Sequence, residues 1–404
     1  MNITISENKR YFKKNNKNFF YFADTCWSAF TNIDLDSWEY YLRRRQGFNV
    51  LQINILPQWD ASETHFNYQP FEKDDDGFYD YFHIKQEYFQ HAKKMCERAK
   101  EYGFELALVV LWCNYVPDTW ANKLMKSKTM PFDAIENYIK KVHETFSTFN
   151  PFYIISGDTD LENQSSINHY RKASHLLRNL APDCLQSYHI RGRMVELPKE
   201  IIDEIDFYMY QTGHSAKESD KEMCYQMPEY FFTNYPVKPL INSEPCYELI
   251  GYAGNMYGRF HQFDIRRAAW QSLLAGASAG ITYGAGGVYS WHEYGKHFSP
   301  CIGEGFDMPH PWQIALHYPG AWDYSDIKHI FCEYKISELT PRQDILLNET
   351  KEIRIAEYQN RYFIYVPENT TIKLKMDIND IESIIILDLE TRRKEIGSKY
   401  KKNM

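Results

Sequence analysis

The chain of 404 residues contains no Cys-x-x-Cys pair. Its eight cysteines (Cys26, Cys96, Cys113, Cys184, Cys224, Cys246, Cys301 and Cys332) are scattered singly, which excludes zinc-site spacing and a disulfide framework. They read as free thiols of a reducing compartment. A secretory signal is also missing: Met1 leads into Asn2-Ile3-Thr4-Ile5-Ser6, with neither a basic n-region nor an apolar h-region. No apolar run approaches the roughly 20 residues of a membrane helix. A cytoplasmic protein without a membrane partner is the expectation. Long basic blocks are scarce as well. With 46 Lys and Arg against 54 Asp and Glu, the net charge is −8. The densest basic runs, Lys13–Lys17 and Lys399–Lys402, read as solvated surface, so no nucleic-acid partner is expected.

Several catalytic motifs are absent too. There is no G-x-S-x-G elbow, and Gly284-Ala285-Gly286-Gly287 lacks the Lys-Ser/Thr of a phosphate loop. His292 and His297 in Trp291-His292-Glu293-Tyr294-Gly295-Lys296-His297 lack H-E-x-x-H spacing, so neither a metal nor a cofactor is expected.

What the chain does have is aromatic side chains and short apolar runs. Aromatics make up 16% of it, with 32 Tyr, 25 Phe and 9 Trp, which suits stacking on sugar faces as well as core filling. Eight strand-like runs alternate with helical stretches: Phe19–Asp24, Asn49–Leu56, Phe104–Trp112, Pro151–Gly157, Leu185–Ile190, Asp206–Gln211, Pro239–Ser243 and Ala279–Tyr283. Most are continuously apolar, as strands buried on both faces are, and the alternation predicts an α/β fold, a (β/α)8 TIM barrel. Helices are predicted over Ser37–Gln46 (N-cap Asp36, Gly47 following), Gln86–Tyr102, Phe132–Phe149, Ile167–Leu180, Arg266–Leu274 and Trp312–Tyr334. From about Pro341 the texture changes to short strands. A hairpin spans Lys351–Val366, and Ile372–Met376 and Ser383–Leu389 follow, predicting a small antiparallel β-sandwich. The division expected is a catalytic barrel over residues 1–335 and a β-domain over 336–404.

Two of the barrel runs stop abruptly at a carboxylate. Asp158 closes the fourth and Glu244 the seventh, which places them across the rim from each other. Glycoside hydrolysis needs such a pair, an acid for the leaving oxygen and a carboxylate opposite. The acid has to stay protonated near neutral pH, which burial and the Glu244 charge would favour. Other strand ends supply candidates for sugar contacts: Asp24 and Trp27 after the first, Gln52 and Asn54 on the second, Trp112 and Asn114 on the third. His189 ends the fifth, Gln211 and His214 the sixth, and Tyr283 and Trp291 follow the eighth. A retaining hydrolase, an inverting one, and a silent carbohydrate-binding protein all remain open at this point, as does the oligomeric state.

The segments Phe22-Ala23-Asp24-Thr25-Cys26-Trp27, Gln46-Gly47-Phe48-Asn49-Val50, Ile155-Ser156-Gly157-Asp158, Gln211-Thr212-Gly213-His214, Asn242-Ser243-Glu244-Pro245-x-Tyr247-Glu248 and Arg266-Arg267-Ala268-Ala269-Trp270 occur in this order. Together the chain resembles the apiosidase-like glycoside hydrolases of family 140, a (β/α)8 barrel followed by a small β-domain. The resemblance implies a retaining mechanism with Asp158 as general acid/base and Glu244 as nucleophile. It also implies that Asp24, Gln211, His214 and Glu248 line the −1 sugar site. One departure is that the acid motif reads Ser156-Gly157-Asp158-Thr159-Asp160, not the family's Gly-Gly-Asp, so Asp160 is a second candidate acid. Characterised relatives release apiose from a plant pectin, whereas a chain without a signal is expected to take imported oligosaccharides or small glycosides.

Overall fold

A computed structural model describes residues 2–58, 62–125, 129–298, 305–376 and 381–397; Cys301 and Lys399–Lys402 lie outside the described residues. The barrel strands are β1 (Tyr21–Thr25), β2 (Val50–Asn54), β3 (Glu105–Trp112), β4 (Phe152–Gly157), β5 (Gln186–Ser187), β6 (Tyr208–Gln211), β7 (Leu240–Glu244) and β8 (Gly280–Tyr283). They form one parallel sheet in the order β5-β4-β3-β2-β1-β8-β7-β6. A parallel bridge between His189 and Met209 joins its two edges and closes the ring. Every residue of all eight strands is buried, because side chains fill the barrel inside and helices cover it outside.

Helix α1 (Leu35–Arg44) starts two residues earlier than expected, because Asp34 and not Asp36 is the N-cap. The Asp34 carboxylate accepts from the backbone N–H groups of Asp36 and Ser37 at 3.0 and 2.9 Å. Around the barrel follow α2 (Gln86–Glu101), α3 (Ala134–Phe146), α4 (Gln164–Leu180), α5 (Lys199–Glu204), α6 (Met223–Asn234), α7 (Gln262–Leu274) and α8 (Gly320–Glu333). The single helix expected over Trp312–Tyr334 is two pieces. A short turn at Trp312–Ala315 ends before Pro319, whose ring cannot continue a helix already in progress and instead opens α8.

The floor of the barrel was not foreseen. Strands Ile3–Ile5, Phe12–Lys14 and Lys17–Phe19 make an antiparallel sheet ahead of β1. Its hairpin turns at Asn15 and Asn16, both at positive φ, as a tight primed turn requires. The fully buried Phe12 ring sits 5.2 Å from Phe207 and 5.6 Å from Phe152, at the N-terminal ends of β6 and β4. That plug fills the end of the barrel opposite the carboxylates.

After α8 the antiparallel strands pair in two small sheets. Thr340–Pro341, Arg354–Tyr358 and Arg361–Tyr365 form one; Ile384–Leu387 and Lys394–Gly397 form the other. The strand expected at Ile372–Met376 contributes a single bridge, Leu374 to Leu346. The first sheet is pinned to the barrel by Arg354, a buried guanidinium that bonds Glu229 and lies 4.9 Å over the Tyr225 ring, both on α6. The second hangs on α7 and α8, through Arg266 to the Leu389 carbonyl and Arg392 to Asp323.

Candidate active site

Asp158 and Glu244 line one cleft at the C-terminal rim, together with Trp112, Gln211 and His214. Its volume is about 220 Å³, below the roughly 300–1,000 Å³ of sites for drug-sized ligands. A larger hollow of about 930 Å³ lies along α4, lined by Phe132, His169, Lys172 and His175, and shares no residue with the cleft. It holds no carboxylate, so the chemistry belongs to the smaller one.

Local structure at each carboxylate is unusual. Asp158 sits at φ +51°, in the left-handed region that Asp tolerates better than most residues. Gly157 before it is required by packing, since a Cβ there would fall 1.9 Å from the Trp112 ring. The turn is held from both sides. The Asp158 N–H donates to His189 Nδ1 at 3.1 Å, and Trp120 Nε1–H donates to the Asp158 carbonyl at 2.7 Å. Gln211 Nε2 donates to the Asp158 carboxylate. Glu244 is placed by a register shift: Tyr210 pairs with Asn242, but Gln211 pairs with Glu244, so the β7 strand bulges at Ser243. Bulges next to active sites re-aim side chains in this way.

Two histidines meet the Glu244 carboxylate. His214 Nε2 lies 2.9 Å from Oε1 and His189 Nε2 stands 3.1 Å from Oε2. The His189 contact falls outside the angles of a straight hydrogen bond. Burial alone would raise the Glu244 pKa, but hydrogen bonding to the two imidazoles, joined by the charge those rings carry when protonated, outweighs it and brings the carboxyl down to about 2. Glu244, 8% exposed, is therefore an anion throughout the working range. Beneath it Trp27 donates to the Tyr247 hydroxyl at 3.0 Å, and its ring packs against Trp112 and His189.

Other expected sugar contacts lie elsewhere. Asp24 is fully buried, with its Oδ2 against Arg45 at 2.8 Å and Tyr41 at 2.6 Å and its Oδ1 without a hydrogen-bond partner. Glu248 accepts from the Tyr283 hydroxyl at 2.6 Å and from the Gly320 N–H at 2.9 Å, which consumes both residues. A Cβ at Gly320 would come within 2.5 Å of Glu248, so only glycine lets α8 approach this closely. Gln52 is satisfied inside the barrel by Tyr21, Thr25 and the Ser243 carbonyl. Trp291 stacks on Trp312 at 4.3 Å, away from the cleft lining. Asn114 is buried on the turn after β3, where its carbonyl braces Asn122. Asn54 is buried at the end of β2 with both amide atoms unpartnered. Asp160 is buried outside the cleft lining and accepts the Trp120 N–H at 3.0 Å, capping the turn Trp120–Met125.

Arg191, the polar end of the fifth run, also lines the cleft, as do residues that sequence reasoning passed over, among them Gln58, Trp120, Arg193, Tyr289 and Phe306. The two arginines follow β5 in Arg191-Gly192-Arg193, and their place directly after a strand end was the available signal. Trp120, Tyr289 and Phe306 come from loops whose course no local pattern reveals. Among the described residues no group of three or more His, Cys, Asp or Glu could hold a metal ion, and no helix is long and apolar enough to cross a membrane.

A (β/α)8 barrel that presents two carboxylates from β4 and β7 in one rim cleft has the equipment of a glycoside hydrolase. The sequence profile of the apiosidase-like catalytic domain matches residues 6–338, so the chain belongs to the apiosidase-like family and is a glycoside hydrolase. Among solved structures, a glycoside hydrolase family 5 protein from Bacteroides vulgatus superposes with a TM-score of 0.80 at 20% identity, over 98% of this chain and 87% of the other. A second glycoside hydrolase gives 0.79 at 21% identity, over 98% and 90%. A family 5 mannosidase from Rhizomucor miehei, crystallised with mannosyl-fructose, gives 0.53 at 10% identity, over 83% and 99%. At these identities the likeness is one of fold. A search of curated protein sequences finds no match.

Proposed function

We propose that the enzyme is a retaining O-glycoside hydrolase acting on oligosaccharides or small glycosides, with Asp158 as acid/base and Glu244 as nucleophile. The observation that carries this reading is that His189 and Gln211 each connect the two carboxylate segments within one cleft. In the first step Asp158 gives its proton to the glycosidic oxygen while Glu244 attacks the anomeric carbon. In the second, Asp158 takes a proton from water as that water attacks the anomeric carbon and breaks its bond to Glu244, releasing the carboxylate. A nucleophile ionised at every working pH suits the first step. The small cleft volume favours one terminal sugar ring over an extended chain. Every cleft-lining residue precedes position 307, which fits a division between a catalytic barrel over residues 1–335 and a packing role for 336–404. No disulfide joins the seven described cysteines to one another, which suits a reducing, cytoplasmic setting.

The test is hydrolysis of a panel of aryl glycosides, beginning with apiosides because of the family match and extending to arabinosides, xylosides and rhamnosides. One glycone should be turned over, and Glu244→Gln and Asp158→Asn should each lose at least about 10³-fold in kcat. NMR of the first product formed should show the anomer of the substrate. The opposite anomer would make the enzyme inverting, and full activity in either variant would overturn the residue assignment.

A further inference from the structure

We infer that His189 and His214 are positioning residues, each fixed with its proton on Nε2 by a backbone N–H that occupies Nδ1, so that His214 donates to one Glu244 oxygen and His189 turns its Nε2–H toward the other. The inference rests on the reading of Glu244 as the nucleophile. A backbone N–H can only donate. The Asp158 N–H meets His189 Nδ1 at 3.1 Å, and the Tyr247 N–H meets His214 Nδ1 at 3.4 Å. Both Nδ1 atoms therefore present a lone pair, and in a neutral imidazole the single proton then sits on Nε2. Each Nε2 is turned to a different oxygen of the same carboxylate, His214 to Oε1 and His189 to Oε2. Charging either ring would set an Nδ1–H against a backbone N–H within hydrogen-bond distance.

The two Nε2–H groups fix the aim of the carboxylate, which a nucleophile needs. His189 has a second consequence: one ring spans from the peptide of Asp158 to the oxygen of Glu244, so the left-handed turn at the acid and the aim of the nucleophile share a support. The other groups facing Glu244 are Asp158 beyond β4, Gln211 on β6, and Tyr247 after β7. Arg191 and Arg193 line the same cleft, 3.5 Å from Glu162 and 3.7 Å from Asp220 respectively.

The first experiment is 15N NMR of the imidazoles in the intact protein at neutral pH, assigned with His189→Ala and His214→Ala. Both rings should show an unprotonated Nδ1 and a protonated Nε2. A proton on either Nδ1 at neutral pH overturns the inference whether or not a substrate is known. The second experiment, once a glycone is in hand, compares His214→Ala with His214→Gln, which keeps an N–H donor. Loss of the donor should lower kcat about tenfold or more and move the acidic limb of kcat/KM to higher pH, and Gln should return that limb toward wild type. An unmoved limb in His214→Ala would reduce His214 to packing and overturn its role here, while failure of the hydrolysis panel would bear only on the function proposed above.

Discussion

Two clusters of buried carboxylates crown this barrel, and they end in opposite electrostatic states. On one side Asp24 and Glu248 are enclosed by Arg45, Tyr41, Tyr283 and the N-terminus of α8. On the other, Glu244 faces a cleft between His189 and His214. Burial is the largest influence on all three. For Asp24 and Glu248 burial wins, and both carboxyls sit above their ordinary range in spite of their donors. Arg45, kept charged by Asp24, still makes that pair ionic at neutral pH. For Glu244 hydrogen bonding to two imidazoles, aided by their charge when protonated, reverses the sign. Depth alone therefore does not set the direction of the shift; the partners the carboxylate meets do, and of these three Glu244 is the one that lines the cleft.

The largest break in this contrast should come from Asp24→Ala, which strands the Arg45 guanidinium in the interior. Removing one partner of a buried ion pair costs about 3–5 kcal/mol, to be read by urea unfolding. Asp24→Asn combined with Arg45→Met should recover much of that loss. If Asp24→Ala folds with normal stability but cannot bind sugar, Asp24 belongs to the site after all.

A smaller effect is expected at Trp120, whose indole N–H fixes the Asp158 carbonyl. Trp120→Phe removes a bond of about 1 kcal/mol and should lower kcat several-fold while KM changes less.

The pH dependence sharpens the comparison further. Glu244, depressed to about 2, adds stability that is fully present above the unfolded carboxylate value and is lost as pH falls through about 2. Glu248, raised, adds stability that is present below the unfolded value and disappears as pH rises through its folded value. Stability of Glu248→Gln should therefore gain on wild type as pH rises from 4 to 7, whereas Glu244→Gln should gain as pH falls below 4. Matching slopes in the two variants would erase the distinction between the clusters.

The smallest change is expected from Asp160→Asn, which weakens the cap on Trp120–Met125 by about 0.5–1 kcal/mol and should leave turnover nearly intact. A collapse of activity there would transfer the acid role from Asp158.

Much of the fold was legible because a buried parallel strand is a continuous apolar run that ends where the rim begins. The β3, β4, β7 and β8 boundaries lie within one or two residues of those runs. The plug around Phe12 was not legible, since it sits in a short basic stretch whose polar residues hide one decisive ring. In the site, Asp158 and Glu244 stood out because an acid at the end of an apolar strand has few structural reasons to be there. Asp24, at the end of the first run, carried the same mark, and Arg45 and Tyr41 bind it in the interior.

Sequence alone determined the eightfold alternation, the two acids at the ends of the fourth and seventh strands, and the family of the chain. Those follow from periodicity and from motifs that occupy contiguous residues. Tertiary structure decided which rim residues face a cavity. Arg45 arrives from α1 to claim Asp24, Gly320 lets α8 close on Glu248, and a one-residue bulge at Ser243 turns Glu244 toward two histidines. Each of these depends on contacts between segments tens to hundreds of residues apart, which no local pattern encodes.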